Sequence, residues 1–213
     1  MAPPALLPNP PRPPDGSVVV RASTSADALG DAELVRRAVS GDSWAEEFLY
    51  RRYVRDIWNM VLRMVRCAAD AEDVVQDTFA TAFRELPRLR DAGALRSWLL
   101  RIAVRHVHRR LRRRRLRQLL GLEREDADEV SLESIAAEGV GAEARAELMM
   151  IDRILARVPS EQRIAWALRH VEGESLEDVA RACDCSLATV KRRIAAVDER
   201  LRSHVQAREV SHD

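Results

Sequence analysis

Apolar residues recur every three or four positions through most of the 213-residue chain, and this spacing constrains the fold more than any other feature. Residues 44–67 place an apolar stripe at helical spacing, made of Leu49, Tyr53, Ile57, Met60 and Met64. Residues 70–86 and 94–117 show the same period, and no segment alternates convincingly between apolar and polar residues as a half-buried strand does. The sequence therefore predicts an all-α protein.

Changes in composition divide the chain into five segments. Residues 1–29 contain most of the nine prolines and lack hydrophobic periodicity, so we expect a disordered tail. Residues 30–118 form a first helical domain. Residues 119–147 are glycine-containing and acidic with broken periodicity, which predicts a flexible linker with room for a turn or two of helix. The helical pattern returns over 148–206, predicting a second helical domain, and a short tail follows at 207–213.

Charge is strongly segregated, although the formal net charge is only +1. Residues 105–117 contain eight arginines and no acid, whereas residues 119–147 contain nine acids and two arginines. This separation suggests a polyanionic partner for the basic segment. The acidic segment is expected to imitate or avoid polyanions.

The three cysteines are expected to be reduced thiols in a cytoplasmic protein, because Cys183 and Cys185 lie too close in sequence for an ordinary structural disulfide. A zinc site built from this pair and a distant histidine stays an alternative, but a C-x-C without a second ligand pair is weak evidence. We expect no metal and no cofactor. No apolar run is long enough to span a bilayer, and the N-terminus is too proline-rich and too weakly basic for a signal peptide, so no membrane insertion is expected.

The stretch "GESLEDVARACDCSLATVKRRI" predicts two short helices joined by a tight turn. Ser175 can cap the first helix, whose third position is Asp178. Asp184 lies where the chain must turn sharply, and Asp tolerates the left-handed conformation better than most residues. Ser186 can cap the second helix, whose buried stripe is Val190, Ile194, Val197 and Leu201. Gly173 is a plausible C-cap for the preceding helix.

This pair of helices matches the requirements of a helix-turn-helix DNA reader. Small residues at the start of the second helix let it approach base edges, and cations then reach guanine or phosphates. The candidate duplex contacts are Ser186, Ala188, Thr189, Lys191, Arg192 and Arg193. An ordinary helical hairpin with a solvated basic face is the alternative.

Two blocks give the chain a more specific resemblance. Residues 70–103, "DAEDVVQDTFATAFRELPRLRDAGALRSWLLRIA", and residues 155–202, which include the helix-turn-helix, resemble regions two and four of an extracytoplasmic-function (ECF) RNA polymerase sigma factor of the sigma-70 family. The blocks occur in the family's order and are joined by an acidic linker. The resemblance implies a region-two-like helical bundle and a region-four-like helix-turn-helix domain.

The resemblance also implies a docking face for core RNA polymerase. The helix that contains "DAEDVVQDTF" would dock on the clamp helices of the beta-prime subunit, and the second domain would lie at the beta flap. The candidate core-binding residues are Asp73, Gln76 and Asp77, which share a polar face. A solvated acidic face is the alternative.

In the same family the arginine helix and the connection before it would hold the minus-ten promoter element, with one base of the non-template strand unstacked. The candidate contacts are Arg88, Arg90, Arg96, Arg105, His108, Arg109 and Arg112. Trp98 could stack on a base, but its position on an apolar face favours core packing. A nonspecific polyanion-binding or RNA-binding patch is the alternative for the arginine run.

As a sigma factor, the chain would bind core polymerase and promoter DNA without covalent chemistry, reading the minus-ten and minus-thirty-five elements with its two domains. An anti-sigma factor is a further expected partner. The acidic linker would thread into polymerase near the RNA path or simply stay solvated. A stand-alone helix-turn-helix regulator with an N-terminal sensing or dimerisation domain leaves the first domain's helices without a role. An enzyme lacks support, because no paired carboxylates at metal-binding spacing, phosphate-binding glycine loop or nucleophile–base motif is present.

Overall fold

The computed structural model describes residues 29–121 and 141–210, and these residues form eight α-helices and two short 3-10 turns without a strand. The all-α prediction is confirmed. The predicted N-terminal tail, the centre of the predicted linker (122–140) and residues 211–213 lie outside the described residues. The helices are α1 (Asp31–Val39), α2 (Ser43–Val65), α3 (Ala68–Glu85), α4 (Leu95–Leu119), α5 (Ala142–Ala156), α6 (Ser160–His170), α7 (Leu176–Ala182) and α8 (Leu187–Val210), and the 3-10 turns are Leu86–Arg88 and Ala92–Ala94.

Helix α2 is the centre of the first helical unit and packs against α1, α3 and α4. Its predicted apolar stripe is buried throughout, including Ile57, Met60 and Met64. From α3, Phe79 is buried and meets Tyr50 edge-on, with ring centroids 4.8 Å apart. Burying such large apolar side chains on one face of each helix orients the opposite, polar faces outward.

Helix α2 ends at Arg66, whose φ of 58° is in the left-handed region. Its backbone N–H still donates to the carbonyl of Leu62, 2.9 Å away, which closes the last turn. A non-glycine residue is uncommon in this conformation, so other contacts of Arg66 must stabilise it. The reversal also leads the chain directly into α3.

The helix-turn-helix forms through the predicted caps and turn. Ser175 Oγ accepts a hydrogen bond from the N–H of Asp178 at 3.0 Å, and Ser186 Oγ accepts from the N–H of Thr189 at 3.2 Å. Asp184 has a φ of 49°, the left-handed conformation expected of it. These predictions are confirmed. They could be made from the sequence because each cap or turn depends on residues only a few positions apart.

Helix α5 begins at Ala142, so the last residues of the segment predicted as linker are helical. Helix α4 continues to Leu119. In the second helical unit α8 packs against α5, α6 and α7, and Ile164, Val179 and Val190 are buried at their meeting point.

The two helical units pack against each other, because α6 lies against α2 and α7 lies against α4. One cluster of buried apolar side chains extends from Leu34 in α1 to Ile194 in α8. The structure therefore brings the arginine-rich α4 next to the helix-turn-helix. Among the described helices, none is long and apolar enough to cross a membrane.

Candidate nucleic-acid and polymerase interfaces

Helix α3 presents an exposed polar face opposite its buried stripe. Asp73, Gln76 and Asp77 are all exposed there. Asp73 forms an ion pair with Arg110 of α4, with 2.8 Å between the charged atoms. Asp77 lies 3.7 Å from Nδ1 of His106, which is also on α4. The three predicted core-binding residues therefore share one accessible surface that borders the arginine helix.

Five of the ten arginines of α4 fall into two sets. Arg110 and Arg114, one turn apart, point toward Asp70 of α3, at 2.7 and 3.9 Å. Arg105, Arg109 and Arg112 follow at helical spacing and are exposed. The first set fastens α4 to α3. The second set forms an exposed cationic stripe, in which Arg105 also lies 3.7 Å from Glu85 of α3.

Two histidines of α4 are buried enough to change their titration. Burial lowers the pKa of His106, and the neighbouring Arg109, Arg105 and Arg84 lower it further against the attraction of Asp77. Its Nε2 lies 3.1 Å from Thr81 Oγ1. Burial also lowers the pKa of His108, which lies near Glu161 and Arg193 of the second helical unit. Both rings are therefore favoured as neutral.

The connection between α3 and α4 carries further predicted minus-ten contacts. Arg88 and Arg90 are exposed. Arg96, in the first turn of α4, instead forms ion pairs with Glu172 at 2.6 Å and Glu174 at 3.5 Å. Trp98 packs against the apolar core, which favours core packing over base stacking for this residue.

The second helix of the helix-turn-helix, α8, presents Ser186, Ala188, Lys191 and Arg192 as exposed residues at its start. Thr189 is half-buried, and its Oγ1 lies 3.0 Å from Ser186 Oγ. These five predicted duplex contacts thus lie together at the beginning of α8.

Arg193 departs from the outward orientation expected of it. Its side chain is 18% exposed, forms an ion pair with Glu161 of α6, and has Nη1 3.5 Å from Cys185 Sγ. The physical reason is the carboxylate on the neighbouring helix, which attracts the guanidinium back across the protein surface.

Cys67, Cys183 and Cys185 are free thiols. Burial raises the pKa of Cys183 to about 12, with Cys185 as a lesser cause, so this thiol stays protonated at neutral pH. Within residues 29–121 and 141–210, no three His, Cys, Asp or Glu side chains are grouped so that they could hold a metal ion.

Sequence reasoning missed the polar contacts between the two helical units. Glu172 accepts hydrogen bonds from Arg63 at 2.7 Å and Arg96 at 2.6 Å. Arg66 pairs with Asp152 through two bonds of 2.6 and 3.2 Å. The partners lie 76 to 109 residues apart, so no local pattern could have indicated them.

Comparison with known proteins identifies the family. Residues 49–117 match the Sigma-70 region 2 family, and residues 148–197 match the family described as Sigma-70, region 4. The RNA polymerase sigma-H factor of Pseudomonas aeruginosa is 32% identical over 187 residues, spanning 83% of this chain and 94% of that protein. The chain belongs to the ECF sigma factors of the sigma-70 family. The ECF RNA polymerase sigma-E factor of Escherichia coli K12 is 31% identical over 85% of this sigma factor and 97% of its own length.

Solved structures show the same fold. The sigma factor RpoE from Bartonella quintana, solved in complex with the anti-sigma factor NepR, has a TM-score of 0.60 at 22% identity, covering 75% of this sigma factor and 96% of that chain. CnrH, solved in complex with the cytosolic domain of CnrY, has a TM-score of 0.55 at 24% identity, covering 83% and 97%. The family matches place α3 and nearly all of α4 in region 2, and the helix-turn-helix in region 4.

Proposed function

We propose that this chain is an alternative sigma factor that binds core RNA polymerase and directs promoter-specific initiation through minus-ten and minus-thirty-five elements. The observation that carries this is the presence of region 2 and region 4, in order, in a chain that spans nearly the whole length of its sigma-factor relatives. The protein acts as a non-enzymatic initiation factor, in the cytoplasm, where core polymerase works.

Core binding is assigned to the exposed face of α3. Asp73, Gln76 and Asp77 would meet the clamp helices of the beta-prime subunit, and region 4 would meet the beta flap. Exposed carboxylates in one patch support electrostatic complementarity with a basic partner surface.

Minus-ten recognition is assigned to the solvent-facing cations of region 2. Arg105, Arg109 and Arg112 form the stripe on α4, and Arg88 and Arg90 precede it. These side chains would hold the backbone of the melted strand, which a cationic groove does without base specificity. Arg96 and His108 are predicted to belong to the same surface, but in this structure Arg96 is ion-paired with region 4 and His108 lies beside it.

Minus-thirty-five recognition is assigned to the start of α8, which would enter the major groove of duplex DNA. Ser186, Ala188 and Thr189 allow a close approach, and Lys191 and Arg192 are free to reach base edges or phosphates. Arg193 joins them once it leaves Glu161. Each region alone has a small DNA footprint, so the covalent link between them raises the effective concentration of the second contact. An anti-sigma factor that covers these surfaces is the expected inhibitor.

Association with bacterial core RNA polymerase tests the proposal. In size-exclusion chromatography the wild-type chain should co-elute with core enzyme, and Asp73→Ala/Asp77→Ala should weaken co-elution because it removes two carboxylates from the α3 face. The variant should keep its helical content, because Arg110 retains Asp70 as its buried partner.

A matched control is Glu47→Ala/Asp56→Ala, which removes two exposed carboxylates from α2. It should co-elute like the wild type. Equal weakening in both double variants would mean that total charge, and not the α3 face, governs binding. Absence of co-elution with active core enzyme for the wild type would contradict the proposed function.

A further inference from the structure

Region 4 binds region 2 directly through the turn between α6 and α7. Glu172, in this turn, has a side chain only 5% exposed and bridges Arg63 of α2 at 2.7 Å and Arg96 of α4 at 2.6 Å. Glu174 adds a longer contact to Arg96, 3.5 Å away. A single buried carboxylate of region 4 thus ties together two helices of region 2.

A second contact lies at the carboxyl end of α2. Arg163 of α6 is buried and donates to the carbonyl of Met64 from Nη2 at 2.9 Å and from Nε at 3.3 Å. The last carbonyls of a helix lack intrahelical donors and carry the negative end of its dipole, so a guanidinium is a favourable partner there. Beside it, Arg66 is paired with Asp152 of α5. Both contacts hold region 4 against the same end of region 2.

The contact between the two regions involves residues that are assigned above to promoter DNA. A guanidinium binds carboxylate and phosphate through the same forked geometry, so Glu172 and Glu174 stand on Arg96 where a strand phosphate would lie. His108, on the same helix, is half-buried beside Glu161 and Arg193 of region 4. The Arg96 side chain is still 41% exposed, so a strand phosphate can approach its guanidinium and would compete with these two carboxylates for it.

We propose that the contact of the α6–α7 turn with Arg63 and Arg96 is an autoinhibitory clasp, in which Glu172 and Glu174 compete with nucleic-acid phosphate for region 2. The sigma factor must open the clasp before its minus-ten surface is complete. This step rests on the function proposed above, because it assigns Arg96 to the promoter strand. A neutral side chain at Glu172 leaves two arginines without their buried counter-ion, which favours separation of the regions.

Two full-length variants test the clasp, one by removing negative charge and the other by removing positive charge. Glu172→Gln/Glu174→Gln removes two acids, whereas Arg63→Gln removes a cation and leaves Arg96 in place. Small-angle X-ray scattering should show a larger radius of gyration for both. Fluorescence anisotropy with a labelled single-stranded DNA of mixed sequence, about 16 nucleotides long, should show binding tighter by on the order of tenfold for both.

Arg63→Gln is the decisive variant, because simple electrostatics predict weaker DNA binding when a cation is lost. The matched control, Glu177→Gln/Glu199→Gln, removes two exposed acids of region 4 that do not pair with Arg63 or Arg96 and should leave the radius of gyration unchanged. An unchanged radius in both clasp variants would overturn the proposal, as would opening without a gain in DNA binding by Arg63→Gln.

Core polymerase co-elution separates this proposal from the function on which it rests. If the wild type and the variants all fail to bind core enzyme, the proposed function is wrong, while scattering still decides whether the carboxylates hold the regions together. If all bind core enzyme and Arg63→Gln neither opens nor gains DNA affinity, the clasp alone is wrong.

Discussion

Two adjacent arginines on α8 differ in what they can offer to DNA. Arg192 is exposed at the start of the helix, whereas Arg193 is ion-paired with Glu161 and touches Cys185. An exposed guanidinium can reach a groove without first breaking an ion pair. Arg192 is therefore the better placed of the two to make the first duplex contact.

Arg192→Ala should weaken binding to duplex DNA that contains the minus-thirty-five element by about 1–3 kcal/mol if Arg192 reads a base. If it contacts a phosphate, the slope of log affinity against log salt should fall by about 1. Fluorescence anisotropy across a salt series measures both quantities.

Arg200→Ala is the control on the same helix, since Arg200 is exposed two turns further from the start of α8. It should change neither quantity. Unchanged affinity and unchanged slope for Arg192→Ala would show that the start of α8 is not the recognition surface.

At the scale of elements, the turn between α7 and α8 depends on one backbone conformation. Asp184 adopts a φ of 49°, and the two caps, Ser175 and Ser186, hold the helices on either side. The angle at which α8 is presented follows from this reversal. A residue that resists the left-handed region would shift it.

Asp184→Gly should leave the free energy of unfolding unchanged or slightly raised, because glycine adopts positive φ without a steric cost. Asp184→Val should lower it by about 1–2 kcal/mol, because a β-branched side chain is strained there. Urea unfolding followed by circular dichroism compares the two. Equal stability of the variants would mean that the turn changes conformation to accommodate valine.

Local elements such as these could be predicted from sequence, since a cap or a left-handed turn depends on a few neighbouring residues. The buried stripe of α2 could also be predicted, because burial follows the helical period of the apolar residues. The start of α5 at Ala142 agrees with the turn or two of helix expected at the end of the linker. The orientation of Arg193 could not be predicted, because a carboxylate on a neighbouring helix determines it. The carboxylates Glu172 and Glu174 look like ordinary solvated acids until region 2 is placed beside them.

At the scale of the whole molecule, regions 2 and 4 share one buried apolar cluster and a set of ion pairs. Arg163 is central to this, since it donates to carbonyls of both α2 and α5. Elements that share a core in this way tend to unfold as one cooperative unit for as long as they stay in contact.

Hydrogen exchange should therefore give α2 and α6 the same opening free energy in the wild type. Arg163→Met keeps the apolar stem but loses the charged hydrogen bonds, so protection of α6 should fall by about 1.5–3 kcal/mol. Arg157→Met, at an exposed arginine that follows α5, is the control and should leave it unchanged. Different unfolding free energies for α2 and α6 in the wild type would show that region 4 unfolds without region 2, which is distinct from the separation of two folded regions proposed for the clasp.

The two sides of the clasp are synthesised at different times. Arg96 precedes its partner Glu172 by 76 residues, so every ribosome completes region 2 before it has made the acid that covers it. Region 2 ends at residue 117, 55 residues before Glu172, so at about 5–20 residues per second it is complete for about 3–11 s before that acid is made. During that interval the nascent region 2 displays Arg63 and Arg96 uncovered, and the newest copies of the protein are the ones most open to capture by nucleic acid.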